Sequence, residues 1–141
     1  IAQTLKAYSD HIIVNYQAKL PPFLGSAQRI EQVIINLIVN AGQSLPSRDK
    51  SIQIRTYFDA KQQMLVLEVK DQGIGIEEAN LNRLRDPFFT TKRDQGGTGL
   101  GLSISANIVD EHGGVLIFDS KRHLGTTVKM MLPIANDKVT A

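Results

Sequence analysis

Three short stretches of this chain combine residue types and spacings that could do chemistry. In the first, Gln32, Asn36, Asn40 and Gln43 fall on one stripe of a helical wheel that turns about 100° per residue. A solvated face is the ordinary alternative, but such faces favour Lys, Glu and Arg, and Asn is a comparatively poor helix former. Two Asn one turn apart instead offer paired carboxamide oxygens to a hard cation or a polar ligand. The second stretch, Asp71-Gln-Gly-Ile-Gly-Ile76, places a carboxylate on the same side of a strand as Leu67 and Val69, pointing inward. A buried carboxylate needs donors, and Gly73 and Gly75 leave room for a flat ligand to lie against the backbone and supply one. An Asp-Gly turn closing a hairpin is the plainer alternative.

The third stretch, Gly96-Gly-Thr-Gly-Leu-Gly-Leu102, opens directly into a helix. Glycines before a helix N-terminus make an anion cradle, because unpaired N–H groups and the positive dipole end point the same way. A flexible glycine hinge is the alternative. The stretch lacks the Gly-Lys-Ser/Thr of a Walker loop, and it has Leu102 where a dinucleotide fingerprint needs glycine. Between the second and third stretches, Asp86-Pro-Phe-Phe-Thr-Thr-Lys92 sets two aromatics, two hydroxyls and a lysine in a polar loop. Phe88 and Phe89 could be plain core anchors and Lys92 a solvated charge. Their place between two ligand-facing stretches favours a movable lid.

The elements that must hold these stretches are legible from periodicity. Ser26 is an N-cap for a helix in which Ile30, Val33, Ile34, Leu37, Ile38, Ala41 and Leu45 recur until Pro46. Apolar residues, Ile35 and Val39 among them, fill most of the rest of the circumference, so the Asn stripe interrupts a largely buried helix. Residues 51–59 and 65–70 alternate as two strands of a hairpin. A strand is expected over 11–17, a short helix over 1–9, a helical turn around 77–84, a helix over 100–112 ending at Gly113-Gly114, and strands over 115–118 and 126–132. The tail after Pro133 should fray. The irregular segment 73–101 is too long for an ordinary connection.

Composition bounds the rest. At 141 residues the chain fits one domain, 1–141, and buries about two thirds of its unfolded surface. No long apolar run or signal peptide is present in the sequence. With no cysteine, a disulfide framework, a thiolate zinc site and a cysteine nucleophile are excluded. A net charge of +2 with scattered basic residues gives no nucleic-acid surface. A start at Ile1 rather than Met suggests a piece of something longer.

Taken together, Asn36-Leu-Ile-Val-Asn40-Ala, Asp71-Gln-Gly-Ile-Gly75, Pro87-Phe-Phe-Thr-Thr-Lys92 and Gly97-Thr-Gly-Leu-Gly-Leu102 resemble, in order and spacing, the N, G1, F and G2 boxes of histidine-kinase catalytic domains. The Phe-Phe-Thr-Thr-Lys form resembles the nitrogen-regulation and dicarboxylate-sensor subgroup. The resemblance implies an α/β (α+β) two-layer sandwich, the Bergerat fold, with a mixed, mainly antiparallel sheet packed against about three helices and ATP under a lid over about 73–101. It implies ATP and Mg²⁺ as cofactors. Asp71 would accept from the adenine amino group, and Asn36 and Asn40 would hold Mg²⁺. Gly73, Gly75, Ile76, Thr90, Thr91, Lys92, Gly97, Thr98, Gly99, Leu100, Gly101 and Leu102 would line the nucleotide. It further implies a cytoplasmic domain, in a parent that is anchored in the inner membrane or not, whose partners are its own dimerisation and phospho-acceptor domain and a downstream response regulator, with no nucleic acid and no membrane contact.

Departures from the pattern carry information too. Gyrase-type hydrolases, which resemble this helix, have a water-activating glutamate where Asn36 stands, so phosphoryl transfer is favoured over vigorous hydrolysis. Gln43 stands near the place of a lysine common in sensor kinases, Ser26 replaces a usual Asp, and Arg85 an expected aromatic. An acceptor histidine would start a helical hairpin beside an acidic residue, whereas His11 opens a strand, His112 ends a helix and His123 lies in a turn-like stretch; all three read as structural or surface residues. The fragment is therefore expected to bind ATP without phosphorylating itself. Two rivals remain: a nucleotide-responsive interaction module without phosphotransfer, and a gyrase-like ATPase.

Overall fold

Helix α1 (Ala27–Ser44) starts where the capping chemistry puts it, with Ser26 Oγ accepting from the Arg29 N–H at 3.2 Å. Leu45 turns to extended backbone ahead of Pro46, which disfavours helical geometry in the residue before it. The computed structural model describes residue 6 and residues 9–75, 101–121 and 124–134. Around α1 stand β1 (His11–Tyr16), β2 (Ser51–Asp59), β3 (Met64–Asp71), a second helix α2 (Gly101–Glu111), β4 (Val115–Lys121) and β5 (Gly125–Pro133).

The five strands form one sheet in the order β1-β2-β3-β5-β4. β1 and β2 are parallel, joined through α1 as such a crossover requires, and the other three pairings are antiparallel. The β2–β3 hairpin turns on Asp59, whose Oδ1 accepts from the N–H groups of Lys61 and Gln62. Both helices lie on one face. Ile30, Val33, Leu37, Ile38 and Ala41 of α1 and Ala106, Ile108 and Val109 of α2 pack with Ile52, Ile54, Leu67, Val69, Leu116, Val128, Met130 and Leu132 of the sheet. This is the expected two-layer α/β sandwich on a mixed, mainly antiparallel sheet.

The helices run antiparallel, because Arg29 near the start of α1 is ion-paired with Glu111 at the end of α2 while Asn36 bonds Ser105. His112 ties the same end together. Its Nδ1 lies 2.7 Å from the Ile108 carbonyl and donates to it, while Nε2 accepts from the Ser26 N–H at 3.1 Å. The ring also meets Phe23 edge-on, with centroids 6.3 Å apart. His112 is thus a structural clip, as its position at a helix end suggested.

One expectation needs correction. Ile35 is 44% exposed rather than buried, because only the sheet and α2 cover α1 among the described residues. Ile134, the last described residue, bridges Phe23, and the rest of the tail lies outside the described residues. Two helices, α1 and α2, are bounded among the described residues. Of the helix expected over 1–9, Lys6 is helical and Ser9 is not; its other residues, and the turn expected over 77–84, lie outside the described residues, as does His123.

Candidate nucleotide site

Asp71 closes β3 and is 4% exposed. The two-residue alternation that sends Leu67 and Val69 into the core sends it inward as well. Its Oδ1 accepts from the Gly73 N–H at 2.8 Å. One of the donors that the carboxylate needs is therefore its own turn, not a ligand, which amends the expectation from sequence. That turn is fixed on both sides: the Gln72 N–H donates to Ser51 O and the Ile74 N–H to Ser44 O, each at 3.1 Å. A Cβ on Gly73 would lie 2.6 Å from Asp71 Oδ1 and 2.6 Å from Ser44 Cβ, so only glycine fits between the carboxylate and the end of α1. Gly75 has φ +73°, in the region glycine adopts freely.

The same end of α1 carries the Asn stripe. Asn36 and Asn40 are both half-buried, on the side of the helix that meets α2. Asn36 Nδ2 donates to Ser105 Oγ at 3.1 Å. With the helices antiparallel, one further turn brings Asn40 level with Gly101, the first residue of α2. There the N-terminal, positive-dipole end of α2 adjoins this part of α1. Ser44, one turn after Asn40, donates from Oγ to the Asn40 carbonyl at 2.9 Å and accepts from the Asp71 turn through its own carbonyl. The last two turns of α1 are thus a common wall for the Asn pair, the Asp71 turn and the start of α2. Leu102 packs its side chain against the core, so its backbone is what it can offer a ligand. Ile76, Thr90, Thr91, Lys92, Gly97, Thr98, Gly99 and Leu100 lie outside the described residues.

Two neighbours were not singled out by sequence. Thr126 of β5 is the register partner of Asp71, is 8% exposed, and shares a hydrogen bond of 2.7 Å with Ser120 Oγ. Ser105 is 0% exposed. For Ser105, a small hydroxyl between Ile104 and Ala106 was the available signal. Among the described residues no group of three or more His, Asp or Glu could cage a metal. On the opposite face of the sheet a shallow depression of about 410 Å³ is lined by Tyr57, Glu68, Ile117, Asp119 and Lys129 among others. There Glu68 holds the Arg55 guanidinium in its charged form even more firmly than usual. Among the described residues, none of the three chemistry-bearing stretches lines that depression.

A half-buried Asn pair, an inward Asp on a glycine turn and a glycine-led helix thus stand on one α/β sandwich. Residues 25–136 match the family model described as histidine kinase-, DNA gyrase B-, and HSP90-like ATPase, and the chain belongs to that family, whose members bind ATP. Within it, this is the catalytic domain of the sensor histidine kinases. It is 39% identical over 115 residues to a putative sensor protein of Shewanella frigidimarina, covering 82% of this chain and 17% of that protein. It is 34% identical over 149 residues to the sensory histidine kinase/phosphatase NtrB of Azospirillum brasilense, covering 97% of this chain and 36% of that one. The structure of a mycobacterial sensor histidine kinase, MprB, superposes with a TM-score of 0.80 at 25% identity, covering 94% of this chain and 90% of that one. The chain therefore spans well under half the length of these two sequence relatives. Among the described residues no helix is long and apolar enough to cross a membrane.

Proposed function

We propose that this domain binds ATP with Mg²⁺ and presents the terminal phosphate to a histidine on a separate dimerisation domain, upstream of a response regulator. The observation that carries this reading is the shared wall at the end of α1. It sets a buried carboxylate, a carboxamide pair and a helix N-terminus around one place, and these suit an adenine amino group, a phosphate-bound cation and phosphate oxygens respectively. Mg²⁺ takes few protein ligands and relies on substrate phosphates, so two carboxamides without a carboxylate cage fit it. When bound, the cation neutralises charge on the phosphates. The chain's own share is to accept the adenine N–H at Asp71, turn carboxamide oxygens toward the cation at Asn36 and Asn40, and donate backbone N–H groups from Gly101 and Leu102. Gly73 and Gly75 keep the floor flat. Gly97, Thr98, Gly99 and Leu100 would extend the donors, with Ile76, Thr90, Thr91 and Lys92 contributed by a lid over about 73–101.

A hydrolase needs a base to activate water. At Asn36 there is a carboxamide whose N–H is already given to Ser105, which favours transfer over hydrolysis. The test is calorimetric titration of the domain with ADP and a non-hydrolysable ATP analogue, with and without Mg²⁺, on the native protein and Asp71→Asn. Native binding that weakens roughly ten- to a hundredfold in the variant, the worth of one charge-assisted hydrogen bond, supports the reading. Failure to bind either nucleotide under any condition would sink it and leave the interaction-module reading in its place.

A further inference from the structure

We propose that Ser105 is a positioning residue for Asn36, setting the carboxamide so that its oxygen rather than its nitrogen faces the nucleotide-bound cation. The inference rests on the nucleotide reading of the site and adds a residue to it. The two ends of a carboxamide are nearly the same size and differ only in what they bond, so an Asn left to itself can turn either way. A cation accepts only the oxygen. Ser105 is fully buried on α2, on a helix whose core residues are Ala106, Ile108 and Val109, and a hydroxyl without water must find its partner in the protein. Its partner is Asn36 Nδ2 at 3.1 Å, 69 residues away in the chain.

With the amide nitrogen held at the helix–helix seam, Oδ1 is the end left to turn outward. Groups behind a ligand commonly fix its orientation in this way, and losing them weakens metal affinity.

The experiment measures ADP affinity by calorimetry with Mg²⁺ and with EDTA, and takes the ratio as the Mg²⁺ gain. Ser105→Ala removes the acceptor without adding bulk. It should reduce the gain about two- to tenfold, the worth of one neutral hydrogen bond, and leave the affinity in EDTA unchanged. Ser105→Cys keeps the packing but is a weak acceptor, and should show the same loss should the alanine variant fold poorly. Ser105→Thr keeps the hydroxyl and should restore the gain. In an Asn36→Ala background, Ser105→Ala should have no further effect on it. The proposal is overturned if Ser105→Ala and Ser105→Cys keep the native gain, if both affinities fall equally, or if the loss persists without Asn36. Native protein that binds ADP with no Mg²⁺ gain would instead overturn the cation reading of Asn36, and this inference with it.

Discussion

Gly73→Ala isolates what the Asp71 turn does. The added methyl would stand 2.6 Å from Asp71 Oδ1, 2.6 Å from Ser44 Cβ and 2.8 Å from Ser44 O. Two of these atoms belong to the end of α1 and cannot swing aside, so the turn must lift or the carboxylate must rotate away. Overpacking of this kind costs about 1–3 kcal/mol. For a domain of this size, with about 3–4 °C lost per kcal/mol, the melting temperature should fall by about 3–12 °C. Because Asp71 is one of the atoms in the way, ADP affinity should fall at least about tenfold as its charge-assisted bond is lost.

Gly114→Ala supplies the contrast. Its Cβ would press on Val109 Cγ1 and Leu132 Cδ2 at 3.0 Å, and closer still on Met131 O, so it too should destabilise the fold. It lies beyond the far end of α2, about 16 Å along the helix from Gly101 at 1.5 Å per residue. Affinity should therefore survive it at temperatures where the protein is folded. Thermal unfolding by circular dichroism and calorimetry with ADP would measure both quantities. Equal affinity losses in the two variants, or native affinity in Gly73→Ala, would refute the assignment of the Asp71 turn to the site.

Ser26→Ala should cost about 1 kcal/mol of stability in urea denaturation through loss of the α1 cap, with nucleotide affinity unchanged. His112→Ala leaves the Ser26 N–H without its acceptor and removes the edge contact with Phe23; a loss of about 1–3 kcal/mol is expected by the same assay. Glu68→Gln breaks the bridge to Arg55 at 2.7 Å. Since the Arg55 side chain is 53% exposed there, stability should change by less than about 1 kcal/mol and nucleotide binding not at all.

The parts of the fold that repeat within a few residues were legible in the sequence. Helix α1 announced itself through Ser26 and the Ile30–Leu45 periodicity, and the β2–β3 hairpin through strict alternation, because each signal is local. Asp71 was readable as inward for the same reason, since Leu67 and Val69 fix the phase of the strand. Ile35 was misread because a helical wheel shows which residues are apolar but not how many sides of the helix will be covered. That the Gly73 N–H is one of the donors to Asp71 was not legible, because an Asx turn and a ligand contact draw on the same Asp-x-Gly spelling.

What sequence could not supply is the set of pairings between elements. Asn36 with Ser105, Asp71 with Thr126, and Ser44 with Ile74 join segments far apart in the chain, and each depends on a register that only packing decides. The antiparallel setting of α1 and α2, fixed at one end by Arg29, Glu111 and His112, brings the Asn pair opposite the start of α2 rather than its end. Had the helices run the same way, the carboxamides would face the carbonyl end of α2, where the dipole repels phosphate. The clip at Ser26 and His112, remote from any ligand, therefore belongs to the cause of the site: it fixes the end at which an anion can be held.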